Sequence, residues 1–435
     1  MKINIFGMGY VGVVSAACLA KCGHQVTGID IDQVKVDMIN NGRSPIVEPG
    51  LEGLIAQAGN SGKFRATRDG FGPADISIIC VGTPSNENGS LNLSFVRKVS
   101  EQIGSYLKNI SSYHVVNFRS TVLPGTIEGK MIPILEKMSG KKAGRDFGVC
   151  MNPEFMRESS SIHDFFHPSF TVIGAINEKS GEVVEKIYRD VEAPIIHTTI
   201  RVAEMVKYAC NAFHAVKVTF ANEIGNVCKN AGIDSHEVMN IFCQDTKLNL
   251  SPYYLKPGFA FGGSCLPKDV RALLYKAREM DLETPLLRSI LPSNEEQIKA
   301  AYKMIKKSGK KNIGVLGLSF KPGTDDLRES PMVELIEMLI GKGYQVSIFD
   351  REVSLAKLFG SNKRFIETAI PHISSLMKNS ISHVIEGSDV IVIGNKTDDA
   401  EKAFRAIDSD KIIIDLVKIS PSPAGRNSHY RGLCW

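Results

Sequence analysis

Cys265 lies in the stretch GFAFGGSCLPKDV (258–270), between a glycine-rich loop and the run LPKDVRALLYKAREM, with Lys268 and Asp269 just behind it. Cysteine often serves as a small buried apolar residue. Here Pro267 sits where the first turn of a helix tolerates proline, so the thiol precedes a helix N-terminus. The positive end of the helix dipole favours thiolate, and the Lys268 ammonium adds to that bias. Asp269, four residues on, can share the same side of the first turn. Gly262 and Gly263 would let a substrate approach the backbone. These residue types in this order fit a nucleophilic thiol.

A second polar set lies upstream, in RVAEMVKYACNAFHAVKVTFANEIGNVCKNA (201–231). The run lacks proline, and its apolar residues recur at three- and four-residue intervals, which predicts one long helix. Lys207, Asn211, His214, Val218 and Asn222 fall along a single stripe of it. Such a stripe is either a solvated face or the lining of a site, and the apolar flanks favour the lining.

The elements that must hold these groups begin at the N-terminus. KINIFGMGYVG is a short strand followed by Gly7, Gly9 and Gly12; a helix-forming run and a second strand, HQVTGID, ending in Asp30, follow. This is the strand–GxGxxG–helix–strand–acid order of a dinucleotide site. Gly7 permits the tight turn, Gly9 lets the backbone approach a pyrophosphate, and Gly12 allows close helix–strand packing. The helix N-terminus offers unpaired N–H groups to the phosphates. Asp30 can hold a ribose 2′-hydroxyl and would repel a 2′-phosphate, which selects NAD over NADP. A cysteine beside a nicotinamide can capture an aldehyde as a thiohemiacetal. Loss of hydride then gives a thioester, and hydrolysis gives an acid.

The same pattern recurs late in the chain. GHQVTGID (23–30) matches GYQVSIFD (343–350), ADISIICVG (74–82) resembles SDVIVIG (388–394), and NIFG (4–7) parallels GVLG (314–317). A second α/β unit therefore runs from about residue 310 onward. Its first loop, GLSFKPGTDDLRESP, is longer and charged; Lys321 and Arg328 could meet phosphates as point charge and fork. The reading is an α/β fold with two Rossmann-like doubly wound domains joined by a long central helix and helical connector. Its divisions fall at 1–200, 201–300 and 301–435.

Bulk composition agrees. A chain of 435 residues exceeds one ordinary core. With 43% apolar and 23% charged residues it reads as globular, and a net charge of +5 is too mild for nucleic acid but suits small anions. Nine scattered cysteines argue against a disulfide framework and for a reducing cytoplasm. His163 and His167 flank Asp164 at ligand-like spacing, but no further partners cluster nearby, so no metal is expected. Residues 3–20 mimic a signal peptide, yet the regularly spaced glycines explain them better. No other segment is long and apolar enough to span a membrane.

Several motifs together resemble the nucleotide-sugar 6-dehydrogenase family: IFGMGYVG, VGTPS, RSTVLPGT, NPEFMRES, AEMVKYACNAFHAVKVTFANEIGN, GFAFGGSCLPKD and GLSFKPGTDDLRES. They run in order over essentially the whole chain. The resemblance implies a four-electron, NAD-dependent oxidation of a sugar nucleotide at C6. The stretches SPIVEPGLE, CQDTKLNLSPYYLKPGFAFGG and LCW point, within the family, to GDP-mannose as substrate and to GDP-mannuronate, an alginate precursor, as product. It implies Cys265 as nucleophile, Lys207 and Asn211 as stabilisers of oxyanion charge, and Asp269 and Glu154 as acid–base groups acting through water. The NAD contacts it implies, besides the glycines, are Tyr10, Val11, Asp30, Lys35, Thr83, Thr121, Glu158, Lys268 and Arg328. For the sugar nucleotide it implies Glu154, Lys207, Asn211, His214, Asn222, Tyr253, Tyr254, Phe259 and Lys321, with Lys256 standing where the family pattern carries arginine. Lysine there can meet a diphosphate but lacks the bidentate fork. The resemblance also implies a homodimer or larger homo-oligomer formed around the long helix.

Three other readings compete. UDP-glucose could replace GDP-mannose with the same chemistry. A two-electron hydroxy-acid dehydrogenase would use a Lys-x-x-x-Asn pair but needs neither Cys265 nor the second α/β unit. A non-catalytic nucleotide sensor would need the pocket without Cys265, Lys207, Asp269 and Glu154 together. The group that deprotonates the C6 hydroxyl is left open by the sequence; a lysine would need a depressed pKa.

Overall fold

Strands that are apolar on both faces demand cover on both sides, and the helices that alternate with them supply it. The structure is a computed structural model that describes residues 1–246, 254–279, 281, 284–353, 373–407, 410–420 and 429–435. Tyr253 lies outside the described residues.

The first sheet is built from β1 (Lys2–Phe6), β2 (Gln25–Ile29), β3 (Phe64–Thr67), β4 (Ile76–Ile79), β5 (Val115–Phe118), β6 (Gly148–Met151), β7 (Thr171–Ala175) and β8 (Ile195–Thr198). Their spatial order is β3-β2-β1-β4-β5-β6-β7-β8. Pairing is parallel except between β6 and β7. Helices α1 (Tyr10–Lys21), α2 (Gln33–Asn40), α3 (Leu51–Asn60), α4 (Ser94–Leu107), α5 (Ile132–Ser139), α6 (Ser161–Phe166) and α7 (Glu178–Glu185) connect them. Successive strand residues serve opposite layers: Ile5 and Ile78 enter one core, Phe6 and Ile79 the other. The uncharged run 3–20 is thus the buried β1–α1 centre of this sheet.

The chain then forms α8 (Ile200–Ala231), α9 (Ser235–Phe242), α10 (Leu266–Glu279) and α11 (Pro285–Lys307). The long helix spans 32 residues without interruption, as its periodicity requires. A second sheet follows, made of β9 (Asn312–Leu316), β10 (Gln345–Phe349), β11 (Val390–Ile393), β12 (Ile412–Asp415) and β13 (Tyr430–Gly432), all paired in parallel in the order β10-β9-β11-β12-β13, with α12 (Pro331–Gly341) between β9 and β10 in the chain. Contacts group the chain into two compact units, 1–210 with 271–279, and 211–270 with 280–435. Among the described residues no helix is long and apolar enough to cross a membrane.

The internal repeat holds at atomic level. Phe6 pairs with Ile29 as Leu316 pairs with Phe349. Gly7 (φ +93°) and Gly317 (φ +97°) make the same turn after the first strand, each donating its N–H to the end of the second.

Candidate active site

On the cofactor side the three glycines have separable jobs. Gly7 needs its positive φ; a Cβ on Gly12 would lie 1.8 Å from the Gly7 carbonyl oxygen, whereas one on Gly9 would meet nothing within 4 Å. Backbone is therefore open at Gly9, the position expected to face a pyrophosphate, and no side chain caps α1 there. The buried Asp30 carboxylate accepts from Met8 N (2.6 Å) and Asp32 N (2.9 Å), with Lys35 Nζ at 3.8 Å. A carboxylate has about four acceptor sites, so capacity for a ribose diol is left. Thr83 Oγ1 donates to the Thr121 carbonyl (2.8 Å), fastening two of the expected contact residues together beyond β4 and β5. These features fit NAD.

Tyr10 and Val11 open α1. The Tyr10 hydroxyl bonds Glu48, and Glu48 also accepts from Ser159 N (2.7 Å) and Ser161 N (2.8 Å). Burial, with Glu48 beside it, raises the phenol pKa far above its ordinary value. Glu48 thereby anchors the loop that carries Glu158, a role that single-sequence reading missed. Its only signal was an acid inside SPIVEPGLE.

Glu154, just beyond β6, forms a buried ion pair with Lys207 of α8 at 2.9 Å, and its other oxygen accepts from Met156 N at 2.7 Å. The Lys207 ammonium also lies 5.6 Å from the centre of the Phe155 ring. Behind this pair, buried Arg119 bonds Asn152 (2.9 Å) and Tyr188. One turn before Lys207, Glu204 accepts from Gly125 N (2.6 Å) and Ile127 N (3.0 Å). Burial raises its carboxyl to about 7.

In the second unit the Cys265 carbonyl accepts from Asp269 N at 2.9 Å, which makes Cys265 the N-cap of α10. Its residue is exposed, whereas Cys18, Cys80, Cys150 and Cys434 are buried. Burial pushes the Cys18 and Cys80 thiols up to about 12. Asp269, 1% exposed, is held between the Asn211 amide and the Lys268 ammonium, the latter at 2.8 Å. Lys268 is thus paired with Asp269, and the thiolate bias rests chiefly on the helix end.

The two glycines before the cysteine have a reason other than substrate access. A Cβ on Gly262 would lie 2.3 Å from the Glu329 carbonyl oxygen and 2.6 Å from Pro331 Cδ. One on Gly263 (φ +85°) would strike the Phe320 ring at 2.9 Å. The cysteine loop is pressed onto the charged loop of the second sheet, and only glycine permits that contact.

The remaining expected sugar-nucleotide contacts lie in the same unit. His214 stacks on Tyr254 with ring centres 4.6 Å apart. Asn222, 4% exposed, accepts from Gly258 N (2.9 Å) and donates to the Phe259 carbonyl (3.3 Å). Lys256 is exposed, and Lys321 sits 5.7 Å over the Phe320 ring. Arg328 pairs with the buried Asp326 through Nε and Nη2 (2.9 and 2.6 Å).

A dinucleotide-binding sheet, a buried Lys–Glu pair and an exposed, helix-capping thiol define an NAD-dependent dehydrogenase. The chain belongs to the UDP-glucose/GDP-mannose dehydrogenase family: it matches the NAD binding domain over residues 1–192, the central domain over 201–296 and the UDP binding domain over 314–421. It is 52% identical to the GDP-mannose 6-dehydrogenase of Pseudomonas aeruginosa, and the match covers 100% of both chains. It is 37% identical to a UDP-glucose 6-dehydrogenase of Bacillus subtilis, covering 90% of this chain and 87% of the relative. Among solved structures, the UDP-glucose dehydrogenase of Pyrobaculum islandicum matches with a TM-score of 0.89 at 31% identity over 100% of this chain and 98% of that one. The ternary complex of GDP-mannose dehydrogenase from Pseudomonas aeruginosa matches with a TM-score of 0.57 at 51% identity over 100% of both chains.

Proposed function

We propose that this protein oxidises GDP-mannose to GDP-mannuronate, consuming two NAD⁺ and one water and releasing two NADH and three protons. NAD, when bound, accepts one hydride from C6 in each of two oxidations. After the first, the C6 aldehyde is attacked by Cys265 Sγ; a C–S bond forms and the carbonyl oxygen gains a proton. Loss of the second hydride, with release of the hydroxyl proton, leaves a thioester on Sγ. Water then attacks C6, the C–S bond breaks and the thiolate is restored.

Lys207 and Asn211, one turn apart on α8, stabilise negative charge on the C6 oxygen. The 2.9 Å pairing keeps a carboxylate next to that ammonium, and Glu154 serves as the base for water in the hydrolysis. Asp269, between Asn211 and Lys268, exchanges protons near the thiol. Lys321 carries the nucleotide phosphates, and the His214–Tyr254 stack supplies an apolar face. The observation that carries this reading is the exposed thiol at the cap of α10, one helical turn before Asp269, whose buried carboxylate is held by the Asn211 amide and the Lys268 ammonium.

GDP-mannose is favoured over UDP-glucose by the full-length relatives at 52% identity against 37%. The exposed Val202, Met205, Phe213 and Phe220 of α8 support a homo-oligomer built on that helix. Nine cysteines that are all thiols support a reducing, cytoplasmic setting. The test is the yield of NADH per sugar nucleotide from GDP-mannose and from UDP-glucose, for the parent and Cys265→Ser. Two NADH from GDP-mannose, with the variant releasing no acid, is expected. One NADH per sugar, or acid release at the parent rate, refutes the thioester route; two NADH from UDP-glucose alone overturns the substrate.

A further inference from the structure

The loop that ends in Cys265 begins with Gly258–Phe261, four residues that belong to no strand or helix. Backbone polar groups in such a segment must find partners elsewhere. Here three side-chain amides supply them. Gln297 Nε2 donates to the Gly258 carbonyl (2.5 Å). Asn294 forms a reciprocal pair with Phe261, its amide donating to the carbonyl at 2.8 Å and its oxygen accepting from the N–H at 2.9 Å. Asn222 takes Gly258 N and the Phe259 carbonyl.

Gln297 and Asn294 are three residues apart on α11, hence on one face of it. Gln297 is 2% exposed and also reaches Cys434 Sγ at 3.2 Å, so it ties the loop to the segment after β13. Beyond Phe261 the chain has little freedom, because Gly262 and Gly263 are wedged against Phe320, Glu329 and Pro331. The thiol is therefore placed by a backbone clamped at both ends, and one clamp is made of the α11 amides.

We propose that Asn294 and Gln297 are positioning residues for the reaction, acting through the Gly258–Phe261 backbone on the placement of the Cys265 thiol. The inference rests on Cys265 being the nucleophile. Gln297→Glu keeps the shape but sets an oxygen against the Gly258 carbonyl; Asn294→Asp keeps the acceptor for Phe261 N and loses the donor. The full-length variants are compared with the parent for kcat, for KM of GDP-mannose and NAD, for thermal stability, and for the pH profile of Cys265 alkylation by iodoacetamide. Roughly 10- to 100-fold loss of kcat is expected for Gln297→Glu, with KM changed less than about threefold and an altered alkylation profile below the melting range. Asn294→Asp should follow in the same direction with a smaller loss.

A folded Gln297→Glu with parent-like kcat and alkylation profile overturns the proposal, as does a change confined to thermal stability. Should Gln297→Glu not fold, Asn294→Asp decides by the same two readouts. The underlying reading fails separately: alkylation of Cys265 in the parent without loss of activity removes the nucleophile itself.

Discussion

Gly262→Ala tests whether the cysteine loop is held where the structure puts it. Gly262 has no positive φ, so alanine brings no backbone strain and the whole effect is steric. The new Cβ would be 2.3 Å from a backbone oxygen, about 1.1 Å inside ordinary contact at 3.4 Å, with Pro331 Cδ closing the way at 2.6 Å. Neither obstacle is the end of a flexible side chain, so the loop must retreat by about 1 Å. Overpacking of this kind costs about 1–3 kcal/mol. A nucleophile displaced by about 1 Å can lose about 100-fold in rate. Cys265 is three residues away on the same short loop. We expect kcat with GDP-mannose to fall by about two orders of magnitude and the melting temperature by several degrees. Gly53→Ala is the control: it lies in α3 with nothing within 4 Å of the added Cβ, and should keep full activity and gain up to about 1 kcal/mol. Parent-like kcat and stability in Gly262→Ala would refute the packing of this loop.

Four further outcomes follow from the geometry. Lys207→Met removes the ion-pair partner of a carboxylate that is itself 8% exposed, and should destabilise by about 3–5 kcal/mol, read by denaturant unfolding, as well as abolishing turnover. The folded-state pKa of Glu204 is raised from 4.5 to about 7, so the folded state binds the proton more tightly than the unfolded one; stability is greatest below about 4.5 and falls as pH rises through 7, by up to about 3 kcal/mol. Melting curves across pH 5–8 should show that loss, with Arg201 and Glu128 as the neighbouring charges, and Glu204→Gln should flatten it. Asp30→Asn keeps an acceptor for Met8 N but removes the charge that repels a 2′-phosphate, so the ratio of kcat/KM for NAD over NADP should drop at least tenfold. Limiting iodoacetamide at pH 7, followed by peptide mass mapping, should modify Cys265 ahead of Cys18 and Cys80, whose thiols are held near 12.

The strand–glycine–helix order was legible because each glycine answers a local demand: the turn at Gly7 and the helix–strand contact at Gly12 involve neighbours within one βα unit. The long helix was legible from spacing alone, and its stripe resolves into buried Lys207, Asn211 and Asn222. What the sequence concealed was pairing across long separations. Nothing in GFAFGGSC reveals that its glycines face Phe320 and Glu329. Gln297 and Asn294 look like ordinary polar residues of an amphipathic helix until the carbonyls they serve are in place.

The repeat also separates what the fold needs from what the ligand needs. In the first unit Asp30 accepts from Met8 N, the N–H that follows Gly7. In the second, Asp350 accepts from Leu318 N at 2.7 Å, the N–H that follows Gly317, and further from Ser319 N, Glu352 N and Val353 N. The second unit lacks the GxGxxG sequence yet keeps the acid and its bond to the turn. An acid after the second strand is thus first a latch on the glycine turn, in both copies. The difference lies in how much of the carboxylate the latch consumes. Asp350 accepts four backbone N–H groups, which uses up its capacity, whereas Asp30 accepts two and leaves the other sites for a diol. Asp30 is therefore a structural residue left half-satisfied, and on the proposed reading that incompleteness is what distinguishes the cofactor-binding copy from its repeat.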